Sequence, residues 1–322
     1  MLPGTIPTLK LLRRVYGRVR PVVAPPIEVD YAGQAASDYI QQVIEAPNPC
    51  LICRFGNVEL NATLRAYHIR RPALYWGEKS WNYIRGRIHH FWWDASALES
   101  IGMDAGFFPA KPEYVERFGE RLLADMPLID VLALWQGKQD YMVRQICHLL
   151  TQARLVRFPD LEPYYHEHPW SCALRGKRVL VVHPFVDTIR QQYQKREKLF
   201  ANPDVLPEFE LKTLRAVQSI AGNECGFPDW FAAFEWMCEE IGKIEFDIAI
   251  IGAGAYGLPL AAHVKRLGKK GIHLGGPTQI LFGIKGGRWD EIPFFQQLYN
   301  EHWVRPFPHE IPPKIGRVKA YW

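Results

Sequence analysis

The sequence predicts an α/β protein with a mostly parallel sheet flanked by helices. Short apolar runs rich in β-branched residues alternate with stretches of helical length along most of the chain. This alternation is typical of parallel sheets, whose strands are buried on both faces. The clearest unit is Phe246–Ile251 (FDIAII), followed at once by the glycine turn Gly252–Gly257 (GAGAYG) and by a helical stretch, Leu258–Leu267.

The other elements are assigned from the same patterns. Strands are expected at Cys50–Phe55, Asp130–Trp135, Arg154–Phe158, Arg178–Val182, Glu210–Val217 and Gly271–Leu274. Helices are expected at Gln34–Glu45, Leu60–Tyr67, Pro112–Asp125, Asp140–Leu150, Asp187–Phe200 and Pro228–Gly242. In an open α/β sheet, ligands bind at the carboxyl ends of the strands, so candidate site residues are sought there.

Composition restricts the class of protein. With 322 residues, 48% of them hydrophobic, the chain can bury a sizeable core in one large or two coupled domains. The net charge of +5 suits an anionic ligand or membrane surface, but it is not a nucleic-acid signature. The six cysteines show no zinc or disulfide spacing, and neither a signal peptide nor a transmembrane run is seen. A cytoplasmic protein with reduced thiols is therefore expected.

The amino-terminal segment is basic. Leu9–Arg20 contains five cations and no acid, and its apolar residues Leu12, Val15, Tyr16 and Val19 fall at helical spacing. Such a helix can lie on an anionic membrane face, so peripheral contact with the inner membrane is one expectation. A solvated tail or a segment packed on the body is the alternative. We divide the chain into this segment with its proline linker (1–26), an α/β domain (27–305) and a proline-rich basic tail (306–322).

The glycine turn predicts an anion site. Glycines let the backbone bend and approach a ligand closely, and the helix behind them offers free N–H groups to a phosphate. A nicotinamide-dinucleotide fingerprint would need an acid about 20 residues further on. No Asp or Glu occurs between Gly257 and Asp290, which disfavours that interpretation. A tight turn that binds nothing is the other alternative.

Two stretches carry a family resemblance. RFGNVE (Arg54–Glu59) resembles the RFGDGE segment of GT-D fold glycosyltransferases. GAGAYG followed by IHLGGPTQILFGIKGGRW looks like the carboxyl-terminal half of GT-D-like proteins of bacterial surface-polysaccharide loci. The resemblance implies a Rossmann-like enzyme that transfers a hexose from a nucleotide sugar, such as a UDP-sugar, to a surface glycan or glycolipid. It also implies a divalent cation, Mn²⁺ or Mg²⁺, held by an Asp-x-Glu pair.

This chain departs from the family at that pair. The Glu falls on Glu59, but the Asp is replaced by Asn57. An amide oxygen can coordinate Mn²⁺ or Mg²⁺, yet it brings no charge, so the departure weakens the predicted metal site. A cationic side chain, Arg54 or Lys285, could neutralise the leaving diphosphate instead. If Asn57 and Glu59 only cap the following helix, no metal role remains.

The rest of the predicted site follows the two stretches. His183, at the end of a strand, is a candidate to orient substrate or to serve as a base, or it is a structural histidine. Gln279 could read a sugar hydroxyl or cap the next element. The residues expected to face the nucleotide sugar are Gly56, Gly252, Gly254, Tyr256, Gly257, Gly275, Gly276, Gln279 and Lys285. A non-catalytic sugar-nucleotide or glycan binder and a nicotinamide-dependent oxidoreductase are the alternatives; a nucleic-acid binder is disfavoured by the even charge distribution.

Overall fold

A seven-stranded parallel sheet forms the centre of the computed structural model, which describes residues 4–21, 25–70, 75–315 and 321–322. The strands are β1 (Cys50–Arg54), β2 (Val131–Leu134), β3 (Arg154–Arg157), β4 (Arg178–His183), β5 (Glu210–Arg215), β6 (Ile248–Ile251) and β7 (Lys270–His273). Their order across the sheet is β3-β2-β1-β7-β6-β4-β5, and every neighbouring pair is parallel. The predicted α/β, Rossmann-like fold class is therefore confirmed.

Helices cover both faces of the sheet. They are α1 (Thr5–Val19), α2 (Gln34–Glu45), α3 (Asn57–Arg70), α4 (Trp76–Ile84), α5 (Ala95–Ala105), α6 (Pro112–Asp125), α7 (Asp140–Val143), α8 (Val186–Tyr193), α9 (Trp230–Gly242), α10 (Gly257–Arg266), α11 (Pro277–Leu281) and α12 (Pro293–Leu298). The bounds of α2 and α6 match the prediction, whereas α7 and α8 end early and are followed by single 3₁₀ turns. Within the described ranges, no helix is both long and apolar enough to cross a membrane.

The sheet separates two hydrophobic layers. Along β1, Leu51 and Cys53 point into one layer while Cys50 and Ile52 point into the other, because successive side chains of a strand alternate. The two cysteines of the CLIC sequence therefore face opposite sides and cannot share a disulfide or a metal, as expected. All six cysteines are free thiols.

The amino-terminal helix is formed as predicted, but most of the apolar residues that the sequence analysis selected do not pack on the body. Helix α1 packs on α4, and its buried residue is Leu9, which joins a small cluster with Tyr83 and Phe91. Tyr16 is half-buried, whereas Leu12, Val15 and Val19 are exposed. The segment is thus packed on the body through one stripe and presents its second apolar stripe to solvent.

The last described residues return to the sheet. From the end of α12 to residue 315 the chain is irregular, as predicted for the proline-rich tail, apart from a 3₁₀ turn at Pro308–Glu310, and residues 316–320 lie outside the described ranges. The carbonyl of Trp322 accepts a hydrogen bond from the Gly287 N–H at 3.1 Å. Tyr321 and Trp322 thereby stand beside the carboxyl ends of the strands.

Candidate functional site

A cavity of about 660 Å³ opens at the carboxyl edge of the sheet. Its volume lies within the range of about 300–1,000 Å³ that is usual for small-molecule sites. Segments at the ends of all seven strands contribute to its lining. The lining residues nearest the strand ends, from β1 to β7, are Arg54, Trp135, Phe158, His183, Val217, Gly252 and His273. The parallel sheet therefore gathers side chains that are far apart in sequence, at the edge where α/β proteins bind ligands.

Most of the predicted site residues meet in this cavity. The lining includes Arg54, Gly56, Asn57, Glu59, His183, Gly252, Gly254, Tyr256, Gly275, Gly276 and Gln279. Gly257 and Lys285 lie outside it, which corrects the prediction for these two residues. A Cβ on Gly257 would come 2.0 Å from the His273 ring, so this glycine allows α10 to pack closely on β7. The Lys285 ammonium lies 5.2 Å from the centroid of the Tyr299 ring.

Arg54 is a partly buried cation whose charge is stabilised by the Glu59 carboxyl from beyond ion-pair distance. Its guanidinium carbon lies 4.8 Å from the Phe158 ring centroid, and Nη2 donates to the carbonyl of Phe55 at 3.2 Å. Its Nε is buried without a hydrogen-bond partner, and no carboxylate of the described residues lies within 4.0 Å. Burial lowers the pKa of Arg54, but a guanidinium stays charged in proteins. Such a group is poised to bind an anion.

Arg288 supplies a second cation, which the sequence analysis did not select. Its guanidinium carbon lies 4.8 Å from the centroid of the Tyr321 ring and 5.7 Å from that of Trp289. The side chain is exposed at the cavity wall and has no ion pair within the described part of the chain. Arg288 thus lines the cavity, whereas Lys285 does not.

Three carboxyl groups line the same cavity, those of Glu59, Glu162 and the exposed Asp104. The Glu59 carboxyl lies against Gly56, where an added Cβ would come 1.9 Å from Oε2. Burial raises the pKa of Glu59, and its own backbone N–H, Arg54 and Arg288 lower it in part. Glu162 is buried and accepts a hydrogen bond from the Tyr164 hydroxyl, and burial raises its pKa to about 7. Sequence reasoning missed Glu162 because it lies in an irregular segment after β3 with no motif around it.

The donor set at Asn57 and Glu59 does not fit the cation that the resemblance implies. Asn57 Oδ1 accepts a hydrogen bond from Gln139 Nε2 at 2.7 Å, and Glu59 is the one charged ligand of the pair. The guanidinium groups of Arg54 and Arg288 line the same cavity and repel a divalent cation. The capping alternative for Asn57 is wrong as well, since α3 begins at Asn57 and its side chain bonds Gln139 instead of a first-turn N–H.

His183 is a hydrogen-bond donor to the cavity. Its Nδ1 accepts a hydrogen bond from the Phe185 N–H at 3.0 Å, and burial lowers its pKa to about 3. The ring is thus neutral near pH 7 and carries its proton on Nε2. Of the three predicted roles, that of a base is disfavoured by the lowered pKa, while those of orienting a substrate and of a structural histidine both stay predictions. His273 is likewise kept neutral, because burial lowers its pKa to about 3.

The glycine turn after β6 combines close packing with access to the cavity. A Cβ on Gly252 would come 2.6 Å from the His183 ring and 2.8 Å from the Gly275 carbonyl, so only glycine fits there. Gly254 has a φ of +50° and is followed by α10. The amino terminus of α3 borders the cavity with backbone N–H groups, whereas α10 begins outside the lining, after a 3₁₀ turn (Gly254–Tyr256) whose two end residues line the cavity.

Gln279 and Tyr256 line the wall of the cavity. Gln279 Nε2 lies 3.2–3.3 Å from the carbonyls of Ile284, Lys285 and Tyr321, whereas its Oε1 is buried without a hydrogen-bond partner among the described residues. That Gln279 reads a sugar hydroxyl stays a prediction, for which Oε1 is the available acceptor. The Tyr256 ring stacks on Trp230, with the centroids 4.9 Å apart.

A second cluster of metal-type ligands lies outside the cavity lining. Ligand atoms of Asp187, His309 and Glu310 lie within 4.8 Å of one another. Arg215 Nη2 is 2.6 Å from Asp187 Oδ2, and Arg215 Nη1 is 3.4 Å from Glu310 Oε1. Glu310 also accepts the backbone N–H groups of Asp187 and Thr188. These contacts identify an ion-pair network that neutralises its own carboxylates.

Comparison with protein-family models, with curated proteins and with solved structures finds no match to this chain. The family resemblance therefore stays a prediction carried by its two motifs.

Proposed function

We propose that this chain is a glycosyltransferase that binds a nucleoside-diphosphate sugar, such as a UDP-sugar, in the cavity. The acceptor is a bacterial surface glycan or a glycolipid. The observation that carries the proposal is the pair Arg54 and Arg288, two guanidinium groups that make no ion pair within 4.0 Å among the described residues, in a cavity bordered by the amino terminus of α3. A diphosphate is the anion that suits two separate cations and free backbone N–H groups.

The arginines also support the chemical step. When the acceptor oxygen bonds to the anomeric carbon, the bond from that carbon to the diphosphate oxygen breaks, and negative charge grows on the leaving diphosphate. Arg54 and Arg288 stabilise this charge, and a preorganised cation does so best because it needs no rearrangement during the reaction. Arg54 is held in this way between the Phe158 ring and the Gly275 backbone.

Aromatic walls suit the base and the sugar of the donor. Trp135 and Phe158 stack with ring centroids 5.1 Å apart, and Trp135 remains partly exposed. The other Phe, Tyr and Trp residues of the lining are Tyr165, Phe185, Tyr256, Trp289, Phe295, Tyr321 and Trp322. Flat apolar faces bind nucleobases and sugar rings by stacking, while the polar groups between them fix orientation.

Glu162 is the proposed general base. A carboxyl group with a pKa of about 7 is suited to accept a proton near neutral pH. In the proposed step, the acceptor hydroxyl gives its proton to Glu162 as its oxygen attacks the anomeric carbon. His183 Nε2 donates a hydrogen bond to an oxygen of the donor sugar or phosphate. No step is assigned to a metal, because Asn57 and Glu59 do not form the family's carboxylate pair.

A nicotinamide-dependent oxidoreductase fits the site less well. The acid that binds the ribose of such a cofactor follows the strand after the glycine turn. Here that strand is β7, which ends at the neutral His273 and leads into Gly275 and Gly276. Neither a neutral histidine nor a glycine can replace the carboxylate that would bind the ribose hydroxyls of the cofactor.

A thermal-shift screen in excess chelator tests the proposal, since a ligand that binds the native state raises its apparent stability. UDP- and GDP-hexoses are compared with NADH on the wild type, on Arg54→Met and on Lys177→Ala, which removes an exposed cation at the amino edge of the sheet. We expect a sugar nucleotide to stabilise the wild type and Lys177→Ala but not Arg54→Met. Slow release of free nucleoside diphosphate from the bound donor distinguishes an enzyme from a binder. Stabilisation by NADH alone would contradict the proposal.

A further inference from the structure

The outer surface of α1 is apolar and exposed. Leu11, Leu12, Val15 and Val19 are 57%, 45%, 50% and 77% exposed, although α1 is a formed helix that packs on the body through Leu9. An isolated exposed leucine is ordinary, but a helix stripe of four large apolar residues left in water indicates a missing partner. We call this stripe, with the side chains between its members, the α1 surface.

The cations on this helix are divided between the body and solvent. Lys10 pairs with Asp94, and Arg13 donates to the Ile88 carbonyl and the Tyr141 hydroxyl. Arg14 and Arg18, in contrast, are exposed and have no carboxylate partner in the described part of the chain. Helix α1 contains no acidic residue. The α1 surface therefore interleaves apolar side chains with two unpaired positive charges.

Helix α4 adds tryptophans beside this surface. Trp76 and Trp81 are about half exposed on α4, the helix on which α1 packs. Arg85 Nε lies 3.4 Å from the Tyr16 hydroxyl of α1, and its guanidinium carbon lies 5.4 Å from the Trp81 ring centroid. This contact places Trp81 at the edge of the α1 surface. Tryptophan prefers the boundary between lipid headgroups and acyl chains.

We propose that the α1 surface, with Trp81 at its edge, docks on an anionic lipid bilayer. Leucine, valine and tryptophan side chains enter the boundary region, while Arg14 and Arg18 bind anionic headgroups. A second copy of this chain is a poor partner, because it would bring the same positive charges to a symmetric interface. A nucleic acid would satisfy the arginines but leave the apolar stripe in water.

Hydrogen bonds connect the region of the docking surface to the helix that reaches the cavity. The segment after α4 contacts α3, where Arg65 Nη1 donates to the Trp92 carbonyl at 2.9 Å and Asn61 Nδ2 lies 3.4 Å from His89 Nε2. The first turn of α3 carries Asn57 and Glu59 of the cavity lining. Helix α1 is thus connected to the site through α4, the segment after α4, and α3. This connection suits a lipid-linked acceptor if the proposed transferase function is correct.

Vesicle flotation of the full chain tests the inference without any nucleotide, so its outcome is independent of the transferase proposal. Vesicles of phosphatidylcholine alone are compared with vesicles that contain one-third phosphatidylglycerol, at low and high salt. The variants are Arg14→Gln/Arg18→Gln, Leu12→Ser/Val15→Ser and Trp81→Ala. The control, Lys177→Gln/Lys195→Gln, removes two cations that are exposed elsewhere on the chain.

We expect the wild type to bind the anionic vesicles and to be released by salt. Loss of two cations should weaken partitioning about 25-fold, at about fivefold per cation near the surface. Leu12→Ser/Val15→Ser and Trp81→Ala should fail to bind the anionic vesicles even at low salt, because they remove apolar side chains that enter the bilayer. The control, Lys177→Gln/Lys195→Gln, should bind as the wild type does. Circular dichroism confirms that each variant is folded. Equal binding to neutral and anionic vesicles, no binding at all, or a dimer in lipid-free solution that the serine variant abolishes would overturn the inference.

Discussion

Arg54 lies directly over Gly275, so closely that a Cβ on Gly275 would come 2.9 Å from the guanidinium Nη1. Gly275 has a φ of +72°, which an L side chain rarely adopts. Gly275, which follows the end of β7, thus limits the position of the Arg54 guanidinium. We assign diphosphate binding to this arginine. The packing of β7 against β1 is what brings the two residues together.

A comparison of Gly275→Ala with Gly268→Ala should distinguish the cost of backbone strain from the effect of displacing Arg54. Both glycines have a left-handed φ, but nothing lies within 4 Å of a Cβ on Gly268. Each variant should lose about 1–2 kcal/mol of unfolding free energy because of the backbone conformation. Only Gly275→Ala should displace Arg54 and weaken nucleoside-diphosphate binding by about tenfold or more, equivalent to about 1.4 kcal/mol. Chemical denaturation and calorimetric titration measure the two effects. Equal nucleotide affinity in both variants would mean that Arg54 does not bind the phosphates.

Arg288→Ala should weaken binding of a nucleoside diphosphate about 10- to 100-fold, because a charge-assisted hydrogen bond contributes roughly 1.5–3 kcal/mol. The affinity for the corresponding nucleoside, which lacks phosphates, should change little. Lys177→Ala is the control for the loss of one positive charge from the whole protein. A similar weakening for nucleoside and diphosphate would indicate that Arg288 only supports the Tyr321 ring.

Glu162→Gln should change the pH dependence of both stability and turnover. The folded protein binds a proton at Glu162 more tightly than the unfolded chain does, since its pKa is raised to about 7. This contribution to stability is complete below about pH 4.3 and is lost as the pH rises through 7, a change of roughly 4 kcal/mol at most. His183 acts in the opposite direction, because its lowered pKa withdraws stability as the pH falls below about 6.5.

The difference in pH dependence between the wild type and Glu162→Gln measures the contribution of the Glu162 carboxyl group alone. Urea denaturation between pH 4 and 8 should show the wild type losing stability relative to the variant as the pH rises. Turnover should fall about 10²- to 10⁴-fold, with loss of the rising limb near pH 7. A wild-type rate profile that is retained in the variant would exclude Glu162 as the base.

His183→Asn keeps an acceptor for the Phe185 N–H while it removes the Nε2–H donor. Stability should therefore change little, and the affinity for the donor sugar nucleotide should fall by about one order of magnitude, the equivalent of one hydrogen bond. The shape of the pH–rate profile should stay as in the wild type, because burial holds the pKa of His183 at about 3. A variant that loses one limb of the profile would return His183 to the role of base.

The sequence was sufficient for the sheet but only partly for the site. The helices α2 and α6 and the centres of all seven strands follow from hydrophobic periodicity, which local sequence encodes. Glu162 and Arg288 were missed because irregular segments place them, and the path of those segments depends on tertiary contacts such as those of Gln279. The orientation of α1 could not be predicted from the sequence either. The helix has two apolar stripes, and packing on α4 determines which one is buried.

The most direct test is calorimetric titration of a UDP- or GDP-hexose into the wild type and into Arg54→Met, each in excess chelator. The chelator matters because the resemblance to GT-D enzymes implies a cation, whereas the donor set at Asn57 and Glu59 does not fit one. We predict that a sugar nucleotide binds the wild type without metal and that Arg54→Met, still folded, loses about 100-fold or more in affinity, equivalent to about 3 kcal/mol. Binding that appears only with added Mn²⁺, or that is the same in the two proteins, would contradict the account.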